Sequence, residues 1–318
     1  MAAIRDLSEY VQEHLKEYLP PELAEGDIII RNVVENNGIT LTGVTVELPE
    51  NRIMPVIFLD KYVNGVTGEV DEKDFEVICR RVADEEVRRQ PEVQEDLNKL
   101  VTADYLKSHS FLCAVNTMKN LDLISHVPHE EYLDLSAIVK CDLDIPQEDA
   151  LLTVSNDVMK SAGISKEELF SAAKENMLVN NPPFIESMEK MLKGMGIDVS
   201  ENPEEGMILE GSSPMYVCTN EKKEYGAAVI FLPEVQEKMS AIAHGDFFVL
   251  PSSVHEVLCL PADRAPAPPY EMQAMVQEIN ANEVAPAEVL SDCVYKYDAK
   301  EKRLDIASAP VLQRDMII

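Results

Sequence analysis

The sequence contains no tryptophan, and it lacks the short patterns that announce a nucleotide or a metal. There is no Gly-x-x-x-x-Gly-Lys loop and no Gly-x-Gly-x-x-Gly turn, so no nucleotide cofactor is indicated. The six cysteines, Cys79, Cys113, Cys141, Cys218, Cys259 and Cys293, never form a CxxC pair. Neither a zinc site nor a redox motif is signalled, and they read as reduced, buried thiols. Crossing a bilayer takes about 20 apolar residues, and the longest clean runs, such as Ala227 to Leu232, are far shorter. Met1-Ala2-Ala3-Ile4-Arg5-Asp6-Leu7 leads directly into a charged amphipathic segment without the apolar centre of a signal peptide. These absences describe a soluble cytoplasmic protein with no cofactor, no bound metal and no membrane contact.

Positive charge is also scarce: 28 Lys and Arg stand against 58 Asp and Glu, leaving −30. Such a surface repels nucleic-acid phosphates and anionic lipids, so direct nucleic-acid binding is disfavoured. Net charge argues first for solubility. The sharper alternative is an acidic nucleic-acid mimic that occupies a basic partner, held by interactions that salt would weaken.

The 318 residues are 46% hydrophobic and 27% charged, which is ordinary for a globular chain and long enough for two domains. Ile4, Leu7, Tyr10, Val11, Leu15 and Leu19 recur at helical spacing up to Pro20-Pro21. Asn36-Asn37-Gly38 between β-branched runs predicts a hairpin, with a third strand over 54–59 and Pro55 at an edge. Helical spacing resumes over 75–90 and continues, acidic, to 110; a strand follows at Phe111 to Val115. Ser125 to Glu130 reads as a loop, Leu133 to Val139 and Leu151 to Ser155 as strands, and Ser165 with Glu168 as a helix start with a capping box. Asn180 to Pro183 breaks that helix, and Phe184 to Lys193 reads as the next one. Further on, strands are expected at 215–219, 227–232, 247–250 and 254–260. Helices are expected at 233–243 and 270–279, and a closing hairpin at 294–306, with the proline-rich crossing Pro261 to Pro269 barred from any central strand.

Strands fall in antiparallel groups, each followed by a helix, so the fold class is α+β. A two-strand-plus-helix unit recurs in pattern near 28–88, 133–177 and 215–243, as a duplication would produce. The expected domains are an N-terminal α+β region over 1–195 and a C-terminal one over 212–318. Residues 196–211, rich in Gly, Asp, Glu and Pro, form a linker or exposed loop between them.

One stretch concentrates reactive side chains. In Leu250-Pro251-Ser252-Ser253-Val254-His255-Glu256-Val257 two hydroxyls, an imidazole and a carboxylate crowd a turn between apolar runs. A hydrolase would use Ser252 or Ser253 as nucleophile and His255 as base, oriented by Glu256 or Asp246. Against it, neighbouring strand residues point to opposite faces, and the Gly-x-Ser-x-Gly elbow is missing. Turn serines more often satisfy backbone groups. The reading carried forward is therefore a non-enzymatic binding or regulatory protein, with a protein as its partner and Ser252, Ser253, His255 and Glu256 as its binding residues. A metal set from His126, His129 and Glu130 is opposed by Pro128, which denies the helical ligand geometry.

Tyr225-Gly226-Ala227-Ala228, the run Asp246 to Val257, the tail Val289-Leu290-Ser291-Asp292-Cys293-Val294-Tyr295, and Asn36-Asn37-Gly38 with Leu41-Thr42-Gly43 together resemble the DUF5688 family. Ile164 to Phe170, with Ala173 and Asn176, is more loosely similar to the DUF1444 group. The resemblance implies a bacterial cytoplasmic protein and carries no biochemical activity over to these residues.

Overall fold

The structure is a computed structural model and describes residues 2–48, 56–63, 72–89, 102–144, 151–194, 196, 214–251 and 253–309. It is an α+β fold in which every strand pair with a defined residue register is antiparallel. The chain forms two compact units, one of residues 1–105 with 142–152, the other of 106–141 with 153–318.

The first unit is built on the helix Ala2–His14 and the hairpin of β1 (Asp27–Val34) and β2 (Thr40–Glu47), with β3 (Ile57–Phe58) beside β2. The helical spacing read from the sequence is the spacing of burial. Leu7, Val11 and Leu15 are fully buried against Phe75, Ile78, Cys79 and Val82 of the helix Glu72–Arg89 and against Val44, Val46 and Ile57 of the sheet. Each such aliphatic side chain contributes about 1.5–3 kcal/mol. The Asn-Gly signal is realised: Asn37 and Gly38 both take positive φ between the strands. Glu85 closes the unit's charged edge, accepting from Lys61 and Tyr62 and pairing with Arg89.

The second unit holds two sheets. β4 (Ser110–Asn116), β6 (Leu135–Asp142) and β5 (His129–Tyr132) lie in that order; β4 meets β6 with Asn116↔Leu135, and the two-residue turn Leu133-Asp134 fixes the β5–β6 register at Tyr132↔Leu135. The helix Lys166–Val179 covers β4 with Leu169, Phe170, Ala173 and Met177. Its start is the predicted capping box, with Ser165 and Glu168 each accepting the other's backbone N–H. After β7 (Leu151–Thr153), the second sheet comprises β8 (Pro183–Ser187), β9 (Tyr216–Asn220), β10 (Phe247–Leu250), β11 (Val257–Pro261), β12 (Val294–Asp298) and β13 (Arg303–Ser308). Its order is β13-β12-β10-β11-β9-β8. The helix Pro269–Asn282 packs Met272 and Val276 on Phe248 and Val294.

Several expectations are corrected. Ala227 to Leu232 is not a strand: Gly226–Phe231 is a 3₁₀ turn, buried on all sides. A short, wholly apolar run cannot distinguish a buried strand from a buried helix, and without that strand the two-strand-plus-helix unit does not recur at 215–243. Phe184 to Ser187 belongs to the edge strand β8, with Pro183 at its first position where no ladder donor is needed; the helix begins only at Met188. The expected loop at 125–130 is the end of a helix, Leu121–His126, followed by β5. Met54 and Pro55, the acidic stretch 90–101 and linker residues 197–211 lie outside the described residues.

Candidate functional site

β11 starts at Val257, so Ser253 to Glu256 is not strand but a bent crossing pinned from both sides. On one side, Val254 N–H donates to Glu288 C=O, Ser291 N–H donates to Pro251 C=O, and Ser253 forms an isolated bridge to Val289. On the other, Ala227 N–H donates to Val254 C=O, and Thr219 Oγ1 donates to His255 C=O at 2.7 Å. Gly226 makes this second contact sterically accessible. A Cβ there would sit 2.1 Å from Thr219 Oγ1, 2.6 Å from His255 O and 2.8 Å from Asn220 N.

The reactive groups are committed to the main chain. Ser253 Oγ accepts from His255 N–H at 3.0 Å, and His255 Nδ1 accepts from Tyr225 N–H at 3.3 Å. That second bond fixes the neutral imidazole with its proton on Nε2, which faces Glu288 Oε1 at 3.6 Å. The carboxylate beside the imidazole is thus Glu288. Asp246 instead holds Lys296 at 2.7 Å and the Ala299 N–H, which keep its carboxyl below the usual range. Glu256 is half-buried. Ser252 lies outside the described residues. Tyr225, in the left-handed region at φ 50°, packs its ring 5.6 Å from His255 and 6.3 Å from Phe111, with Lys140 Nζ 5.0 Å from its centroid. The His255 side chain keeps about a third of its surface exposed (32%), so the crossing is a locked rim and not a closed core.

A second polar constellation escaped sequence reasoning. Asp134, at the β5–β6 turn, accepts from Ser291 Oγ at 2.6 Å and from Tyr295 OH at 2.5 Å. Ser291 and Tyr295 are 0% and 1% exposed. Ser291 Oγ also accepts from Cys293 N–H, while Asn280 Nδ2 donates to Ser291 C=O and to Asp292. Burial and the Asp134 carboxylate push the Tyr295 hydroxyl well above its ordinary pKa, so it remains a donor. Ser291 and Tyr295 lie in the conspicuous segment Val289 to Tyr295. Nothing local to Asp134 reveals its part.

His126, His129 and Glu130 diverge: His126 Nε2 lies 4.0 Å from Asp122, His129 Nδ1 is 3.2 Å from Val127 O, and Glu130 accepts from Lys174 at 2.8 Å and from Tyr132. Among the described residues no group of three or more His, Cys, Asp or Glu could hold a metal ion, and no helix is long and apolar enough to cross a membrane. For Glu130, burial raises the carboxyl pKa, but the hydrogen bonds from Lys174 and Tyr132 outweigh it and leave the pKa lowered. A carboxylate with a depressed folded pKa stabilises above its unfolded value near 4.3, and that stability disappears as pH falls through the folded value. A Glu130→Gln, Lys174→Met cycle should therefore give a coupling of about 1 kcal/mol at pH 7 and none by pH 2; equal couplings at the two pH values would contradict it.

All six cysteines are buried and outside any disulfide. Burial pushes the Cys113 and Cys293 thiols up to about 11 and Cys79 to about 12. Since the thiolate is the reactive species, Ellman's reagent should titrate none within minutes in the folded protein and all six in denaturant. Rapid labelling of Cys113 or Cys293 would show that their shielding is local only.

The fold and the rim define an α+β protein with a polar crossing clamped between two backbone segments, in which Ser253 Oγ and His255 Nδ1 each accept from a backbone N–H. The chain belongs to DUF5688, a family of unknown function, whose model matches residues 4–299. No curated protein and no solved structure matches it.

Proposed function

We propose that the protein is a non-enzymatic binding or regulatory protein that engages a protein partner through the rim formed by Ser253, His255 and Glu256. The observation that carries this reading is the hydrogen bonding of the rim: Ser253 Oγ and His255 Nδ1 both accept from backbone N–H groups, so the side chains are held rigid and half exposed without a base poised at the hydroxyl. Polar groups fixed on a rigid scaffold suit recognition. The charge of −30 favours a basic partner.

Affinity capture with the wild-type chain and with His255→Ala/Glu256→Ala, both shown to be folded by circular dichroism, tests it. Partners captured by the wild type should be lost from the double variant, and identical partner sets would remove the rim from recognition. A fluorophosphonate probe should leave the protein unlabelled. Labelling abolished by Ser253→Ala would replace this reading with a hydrolase.

A further inference from the structure

At the far end of the β4-β6-β5 sheet three large apolar side chains stand in solvent: Met118 is 71% exposed, Leu121 56% and Leu133 42%. The backbone brings them together. Asn116 pairs with Leu135, and the next residue, Thr117, donates its N–H to Asp134 C=O at 3.0 Å, which sets Met118 beside Leu133. Leu121 follows Met118 by three residues, at the start of the helix Leu121–His126 that leaves the 3₁₀ turn Met118–Asn120. Isolated exposed apolar residues need no explanation, whereas a contiguous group does.

Two further observations distinguish this patch from a casual one. Leu133 occupies the left-handed region at φ 60°, where glycine or asparagine would be less strained, and its side chain gains little burial within the chain in return. The patch is also rigid. Asp134 is fixed by Ser291 and Tyr295, Thr117 Oγ1 meets Ser136 Oγ at 2.9 Å, and Asn116 Oδ1 accepts from Lys119 N–H while Asn120 Nδ2 donates to Asn116 C=O. An ordered surface binds with less entropy to lose than a mobile one. Its neighbours in the chain are the exposed carboxylates Asp122 and Glu131 and the exposed Lys119, a net negative surround on a molecule of charge −30.

From these we infer that Met118, Leu121 and Leu133 form a docking surface for a basic amphipathic helical segment of another protein. Its apolar side chains cover the three residues and its lysines or arginines face Asp122 and Glu131. This recognition mode reads apolar anchors at helical spacing, with charge governing the rate and choice of partner. The surface is separate from the Ser253–Glu256 rim and does not depend on it.

The test is titration of the full chain with an 18-residue leucine/lysine amphipathic peptide, followed by calorimetry at low and moderate salt. A peptide of the same leucine pattern with glutamate for lysine, and a lysine/serine peptide without leucine, serve as controls. The leucine/lysine peptide should bind, and Met118→Ser/Leu133→Asn should weaken it at least tenfold. Asparagine tolerates the left-handed conformation, so that variant should keep the wild-type unfolding midpoint. Asp122→Lys/Glu131→Lys should weaken binding in a salt-dependent way, and His255→Ala/Glu256→Ala should leave it unchanged. The inference is overturned if the leucine/lysine peptide does not bind, if the lysine/serine peptide binds equally well, or if the patch variants bind like the wild type. Loss of binding confined to the His255/Glu256 variant would place the surface at the rim instead.

Discussion

Asp134→Ala should lower the unfolding free energy by about 2–5 kcal/mol, because it strands two hydroxyls that have been removed from water. Ser291 and Tyr295 are 0% and 1% exposed, and each donates to an Asp134 oxygen. A buried polar group left without its partner costs about 1–3 kcal/mol. Tyr295→Phe removes a donor together with its need and should cost about 1 kcal/mol, with the Phe ring filling the same space. Asp134→Ala combined with Tyr295→Phe should therefore lose less than the sum of the single changes, the difference measuring the coupling. Urea unfolding of the four proteins gives the cycle. An Asp134→Ala loss below about 1 kcal/mol would mean that water replaces the carboxylate and that the clamp is not structural.

The second large effect is expected at Gly226, and it is steric. Its φ does not lie in the left-handed region, but an added methyl would meet Thr219 Oγ1, His255 O and Asn220 N, two of them main-chain atoms. Gly226→Ala must then push the 225–231 turn away from the rim, breaking the Thr219–His255 and Ala227–Val254 hydrogen bonds. The expected loss is about 3 kcal/mol or more. Adding Thr219→Ala should not rescue it, since the backbone conflicts persist. Gly163 provides the contrast. Nothing lies within 4 Å of its Cβ position, but φ is +69°, so Gly163→Ala should cost only the conformational penalty of about 1 kcal/mol. Thermal melts of the three variants decide, and a Gly226→Ala protein as stable as Gly163→Ala would refute the close approach.

The elements legible in the sequence are those whose signal is local. The Asn37-Gly38 turn, the Ser165/Glu168 capping box, proline at the start of the Pro233–Ala243 helix and the β12–β13 hairpin each lie within a few residues of their cause. The elements missed are those decided at a distance. Ala227 to Phe231 is apolar enough for a strand, but Tyr225 turns left-handed and Gly226 abuts Thr219, which winds the run into a 3₁₀ turn. Phe184 to Ser187 becomes a strand because β9 is there to pair with it. The crowding around His255 was visible in the sequence. That Tyr225 N–H would occupy its Nδ1, and that Glu288 rather than Glu256 would face its Nε2, depends on residues about 30 positions away on either side.

The clamp at Asp134 also imposes an order on biosynthesis. Its partners follow it by 157 and 161 residues, so at about 5–20 residues per second the β5–β6 tip emerges from the ribosome roughly 8–30 s before the hydroxyls that will hold it. A nascent chain stalled ahead of Ser291 should leave that tip open to proteases, and one released beyond Tyr295 should close it.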